Sequence, residues 1–187
     1  MIEKRGGAWR HILITGVPGI GKTTFIKKLA GRCAHLHPVG FYSSEIRDGG
    51  VRKGFELMRL GGGRSILSHG EFKGPRVGKY GVDVEGFERF LAAIPFHTPD
   101  AQLVIIDEIG RMECCSQKFV NLIYEILDSD NMLIATIALR GTGPIEAIKQ
   151  RYDIRLFEMT LRNRDDLLTD ICPWIEKRLA SLESGLT

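Results

Sequence analysis

The stretch Gly16-Val17-Pro18-Gly19-Ile20-Gly21-Lys22-Thr23-Thr24 carries the pattern G-x-x-x-x-G-K-[ST]. It follows an apolar, β-branched run at residues 11–15 and precedes a segment with Phe25, Ile26, Leu29 and Ala30 at helical spacing. Strand, glycine-rich loop and helix in that order make a phosphate-binding loop, and with it an α/β fold. Each fixed position has a physical task. The glycines let the backbone curl around an anion with successive N–H groups turned inward. The helix adds the positive end of its dipole. Lys22 offers a cation to the β- and γ-phosphate oxygens, and the Thr23 hydroxyl is a ligand for Mg2+.

Outward from the loop, short apolar runs alternate with amphipathic ones. Residues 39–44, 103–106, 132–138 and 154–159 read as strands, the third of them continuously apolar apart from Thr136. Helices are predicted for residues 22–34, from a cap at Asp83 to Ile94, after Ser116, and from Pro144 to Gln150. Two short helices divided near Pro173 end the chain. Between residues 45 and 68 closely spaced glycine turns favour antiparallel hairpins, and a loop rich in Gly, Lys and Arg follows over residues 70–81. The sum is a three-layer α/β sandwich around a mostly parallel sheet, which the hairpins extend or cover at one edge.

Composition agrees. Of 187 residues, 43% are hydrophobic and 26% charged, which excludes a disordered chain and suits one domain with its own core. Residues 1–187 are therefore predicted to form a single domain, with residues 1–10 as an N-terminal extension. The formal net charge of +3 comes from interspersed basic and acidic residues, so no nucleic-acid surface is expected. No apolar run nears the ~20 residues of a membrane span, and the N-terminus lacks a secretory h-region. Cys33, Cys114, Cys115 and Cys172 show no C-x-x-C spacing, and reduced thiols in a cytoplasmic protein are expected.

The apolar run at 103–106 ends in Asp107-Glu108. In a parallel sheet this end emerges at the same edge as the phosphate loop. Asp107 is assigned to Mg2+, through a coordinated water. Glu108 is assigned to the water that attacks the γ-phosphorus, as the group that orients it or takes its proton. Many P-loop hydrolases carry this second acid, whereas many P-loop kinases and switch GTPases do not.

The segments GVPGIGKTT (from Gly16), GFYSSEIRDGGVRKGFEL (from Gly40), RVGKYGVDVEGFE (from Arg76), VIIDEIGRMECCSQKF (from Val104), ATIALRG (from Ala135) and LRNRDDLL (from Leu161) together resemble the cancer-related nucleoside-triphosphatase family. They run in family order over nearly the whole chain. The resemblance implies slow hydrolysis of ATP, GTP and other nucleoside triphosphates with broad specificity. It also implies that residues 16–24 bind phosphates, that Asp107 and Glu108 take the metal and water roles, and that Glu45, Arg47, Asn163 and Arg164 face the nucleotide. The segment 61–74 and the Cys114-Cys115 pair depart from the family pattern.

Three arginines, Arg111, Arg140 and Arg164, are candidates for a cation on the transition-state charge. Arg47 and Lys79 are candidates for a closing element over the nucleotide. The Cys33-x-His35-x-His37 spacing does not match a structural zinc site. Trp9 and Trp174 are expected to pack, His11 to be packed or solvated rather than catalytic, and the Cys114-Cys115 pair to have one thiol buried and one exposed. Two alternatives stay open beside hydrolysis: a small-molecule or nucleotide kinase with its acceptor in the 45–81 region, and a nucleotide-dependent switch.

Overall fold

Alternate residues of the central strands face opposite ways and are buried both ways, which accounts for the continuous apolar runs. In the computed structural model, which describes residues 9–184, strand β1 (His11–Thr15) sends Ile12 and Ile14 to one side of the sheet and Leu13 to the other. Helix α1 (Lys22–Arg32) covers the first side with Phe25, Ile26 and Leu29. The chain then enters β2 (Val39–Asp48), β3 (Val51–Arg59), β4 (Arg64–His69), β5 (Arg76–Val77) and β6 (Tyr80–Val82). Helix α2 (Val84–Ala92), β7 (Leu103–Ile109), α3 (Gln117–Asp128), β8 (Met132–Ile137), α4 (Pro144–Lys149), β9 (Ile154–Glu158) and α5 (Leu167–Ser184) complete it.

Among the described residues the nine strands form one sheet in the order β5-β6-β4-β3-β2-β7-β8-β1-β9. The ladders β2–β7, β7–β8, β8–β1 and β1–β9 are parallel. The other four are antiparallel and carry the sheet outward from β2, so the hairpins extend the sheet. Helices α2, α3 and α4 pack on the face of Leu13, Phe41 and Val104, and α1 and α5 on the opposite one, giving three layers. Phe41, Phe87, Phe90 and Phe119 meet edge-on or tilted inside the first layer, with centroids 5.3–6.4 Å apart. Gly40 is where β2 and β7 touch: at φ 133° a Cβ there would lie 1.9 Å from the Ile105 carbonyl oxygen.

Both predicted caps are present. The Asp83 side chain accepts from the Gly86 N–H, and the Ser116 side chain from the Phe119 N–H. Trp9 and Trp174 pack half-buried, 6.4 Å apart, as expected. Residues 1–8 of the expected extension lie outside the described residues.

Four readings need correction. Helix α5 runs through Pro173 instead of breaking there. Pro173 is exposed, as is Thr169 one turn before it, so water can take the carbonyl that loses its donor, while Ile171, Ile175 and Leu179 hold the helix on the core. Strand β2 continues to Asp48, because β3 pairs with it from Phe41 to Asp48. Residues 70–81 are not all loop: they contain β5 and the start of β6. Cys114 and Cys115 are both half-buried, with neither thiol fully in nor out.

Candidate active site

The phosphate loop sits where the topology requires, between β1 and α1 at the carboxyl ends of the parallel strands. Gly19 and Gly21 have φ of 79° and 113°, conformations that a side chain would strain, and Gly21 is the N-cap of α1. The Lys22 ammonium folds back onto the loop and donates to the Gly16 carbonyl at 3.1 Å. It lies 3.9 Å from Glu108 Oε2.

Asp107 is 1% exposed and wrapped in hydroxyls. Thr23 Oγ1 donates to its Oδ2 at 2.7 Å and Ser43 Oγ to the same oxygen at 3.0 Å. The Ser43 N–H also points there, at 3.4 Å, and Thr136 Oγ1 donates to Oδ1 at 2.6 Å. With its proton on Asp107, the Thr23 hydroxyl keeps its lone pairs for another partner. Thr23, Asp107 and Ser43 are thus an all-oxygen set of the kind a hard divalent cation takes.

Asp107 and Glu108 lie inside β7, joined by a cis peptide, and the register against β8 shifts between Ile106 and Ile109. The two acids differ in setting. Asp107 is enclosed, whereas the Glu108 side chain is 32% exposed and opens on the cleft. Burial raises the Glu108 pKa from its ordinary value, Lys22 opposes that, and the negative charge of Asp107 adds to it. Behind it, Glu113 is 6% exposed and pushed up to about 8, first by burial and then by the charges of Glu108 and Asp107. At neutral pH Glu113 is therefore mostly protonated and adds little negative charge beside Glu108.

A cleft of about 860 Å³ is lined by the phosphate loop, Glu108, the turn 138–140, and the hairpin residues Ser44, Glu45, Arg52 and Phe55. Of the expected residues it includes Glu45 and Arg140, and every loop position from 16 to 24 except Ile20, which is 7% exposed and packs into the core. Arg47 lies off the cleft, bonded to Glu45 and to the Gly50 carbonyl. Lys79 sits over the Tyr80 ring. Arg111 is exposed away from the cleft. Asn163 and Arg164 do not line it either. The Asn163 amide accepts from the Thr160 N–H and donates to the Glu158 carbonyl, so it braces the turn after β9, and Arg164 lies 3.7 Å from Asp165. The sequence reading missed Ser43, Thr136, Lys27, Arg52 and Glu113.

The NTPase family profile matches residues 11–172 of the chain. The chain belongs to this nucleoside-triphosphatase family. It is 42% identical to the nucleoside-triphosphatase THEP1 of Thermotoga petrophila over 162 residues, 86% of this chain and 89% of the relative. It is 35% identical to the cancer-related nucleoside-triphosphatase of Homo sapiens, over 89% of this chain and 97% of that one. The crystal structure of THEP1 from Aquifex aeolicus superposes with a TM-score of 0.77 at 36% identity, covering 89% of this chain and 99% of that one. The solution structure of the human protein gives 0.74 at 34% identity, covering 90% and 98%. The nucleoside-triphosphatase fold is thus shared across the whole matched length, hairpin extension included.

Proposed function

We propose that the chain hydrolyses nucleoside triphosphates, ATP and GTP among them, to the diphosphate and inorganic phosphate, with Mg2+. The observation that carries this reading is the division of labour between two adjacent acids: Asp107, enclosed by Thr23, Ser43 and Thr136, and Glu108, open to the cleft beside Lys22. Thr23 and Asp107 would hold the cation, which when bound would neutralise charge on the phosphate oxygens.

The chain's own residues do the rest. The loop amides and Lys22 fix the triphosphate and stabilise the charge that grows on the leaving diphosphate. Glu108, a stronger base than a solvated carboxylate, accepts a hydrogen bond from water on the far side of the γ-phosphorus. That water's oxygen bonds to phosphorus as the β–γ bridge breaks, and Glu108 takes the proton. The nucleotide base and sugar are left to surfaces outside the loop, so preference among bases is shallow.

Glu108→Gln is the test. It retains Lys22, Thr23 and Asp107, so Mg2+–ATP binding by calorimetry stays within about threefold, while single-turnover hydrolysis falls by roughly two to four orders of magnitude. An unchanged single-turnover rate removes Glu108 from the chemistry and the hydrolase reading loses its support.

A further inference from the structure

The cleft lined by the phosphate loop and Lys22 is also lined by the β2–β3 hairpin, through Ser43, Ser44, Glu45, Arg52 and Phe55. Ser43 of β2 reaches the Asp107 carboxylate at 3.0 Å, and Glu45 lies two residues on, about 7 Å further along the strand. Arg52, on the returning strand, comes back to that point: its Nη1 donates to Glu45 Oε1 at 2.8 Å. Its guanidinium lies over Phe55, 5.0 Å from the ring centroid, and 5.8 Å from that of Tyr80. Arg52, Glu45 and Phe55 all line the cleft that holds Lys22 and Glu108.

We propose that Arg52 is a catalytic residue of this site: it leaves Glu45 when the nucleotide binds and places its guanidinium on the γ-phosphoryl oxygens as the β–γ bridge breaks. The proposal rests on the hydrolase reading above and names the cation that the reading lacks. Three features suit Arg52 to the task. Glu45 has a second guanidinium partner, Arg47 at 2.6 Å, so it stays paired when Arg52 departs. The Arg52–Glu45 pair is partly exposed, 43% and 36%, and such pairs hold weakly. The Tyr80 hydroxyl accepts from Arg52 Nε at 3.1 Å, a bond that breaks when the side chain turns, and donates to the Arg52 carbonyl at 3.2 Å, which holds the backbone in place. A planar fork matches phosphoryl oxygens in two bonds at once, which a lysine cannot do. Arg140 lines the cleft as well, but it sits exposed on the turn after β8 and its side chain makes no hydrogen bond or ion pair among the described residues.

The test compares the parent protein with Arg52→Ala, Arg52→Lys and Arg140→Ala. Two readouts are taken: steady-state hydrolysis, and capture of ADP by Mg2+ and tetrafluoroaluminate, which imitates the transferring phosphoryl group. For Arg52→Ala, kcat falls roughly 100- to 1,000-fold with KM within about threefold, as for loss of a group that acts in the transition state. ADP alone binds as before, capture with fluoroaluminate is lost, and Arg52→Lys recovers less than about a tenth of the missing rate. Should Arg52→Ala lose ADP binding, Arg52→Gln, which keeps a donor for Glu45 and Tyr80, takes its place in both assays. Parent-like kcat and capture in the Arg52 variants, or a kcat collapse confined to Arg140→Ala, overturns the proposal. A parent protein that neither turns over nor captures the complex overturns the hydrolase reading, and this proposal with it.

Discussion

His11 gives a test of the fold with a magnitude that can be worked in advance. It begins β1, is fully buried, and bridges three elements. Its Nδ1 accepts from the Leu133 N–H at 3.1 Å, which leaves the ring proton on Nε2, directed at the Leu127 carbonyl at 3.1 Å. Protonation would set a second N–H against the Leu133 N–H. Asp153 stands 3.8 Å from Nε2 and favours the cation, but Arg151 already bridges Asp153 at 2.7 Å, and Arg10 and Arg151 both oppose another positive charge. Burial dominates, and the pKa drops from 6.5 to about 4.

The sign follows. A depressed folded-state pKa means that the unfolded chain takes up a proton first, so stability present above pH 6.5 is lost as pH falls toward 4. Between pH 7.5 and 5.0 the two pKa values give a loss of about 2 kcal/mol. With a urea slope of roughly 2 kcal/mol/M, the midpoint moves down by about 1 M over that range. His11→Asn keeps an acceptor near the Nδ1 position and cannot titrate. It costs stability at every pH through the lost Leu127 bond and lost volume, but its midpoint should move about 1 M less than the parent's. Equal shifts in the two proteins would show that His11 does not titrate as its surroundings dictate, and would refute the reasoning.

Other outcomes bear on the site. Lys22→Ala should weaken Mg2+–ATP binding by at least about tenfold and nearly abolish turnover with the melting temperature little changed; calorimetry giving parent affinity would remove Lys22 from phosphate binding. Asp107→Asn should lose Mg2+ dependence and triphosphate affinity together, whereas Glu108→Gln loses rate alone; titration of Mg2+ against bound nucleotide separates the two acids. ATP and GTP should differ in kcat/KM by less than roughly a thousandfold, about 4 kcal/mol, and a larger ratio would refute the shallow preference.

Much of the fold was legible because its signals are local. The strand at 11–15, the helix after Lys22 and the Asp83 and Ser116 caps each depend on residues within a turn or two, and each lies where the sequence put it. The misreadings share a cause. Pro173 argues for a break by its own geometry, yet a buried stripe of Ile171, Ile175 and Leu179 outweighs one missing donor at an exposed position. The length of β2 is set by β3, a partner that periodicity within β2 does not reveal.

The site divides along the same line. The phosphate loop is contiguous in sequence, so its place between β1 and α1 could be read directly. The enclosure of Asp107 could not, because it comes from the order of strands. Ser43 and Thr136 are 64 and 29 residues away from Asp107 in the chain, and each is an unremarkable hydroxyl in its own segment. They meet Asp107 because β7 lies between β2 and β8, with both neighbours parallel to it. A strand inserted between β7 and β8 would leave every local motif intact and remove Thr136 from Asp107. The motif therefore points to Asp107 as the acid proposed to hold the cation, whereas the strand order makes it a buried carboxylate with hydroxyl donors on both oxygens. The same order leaves Glu108, one residue further on, facing the cleft.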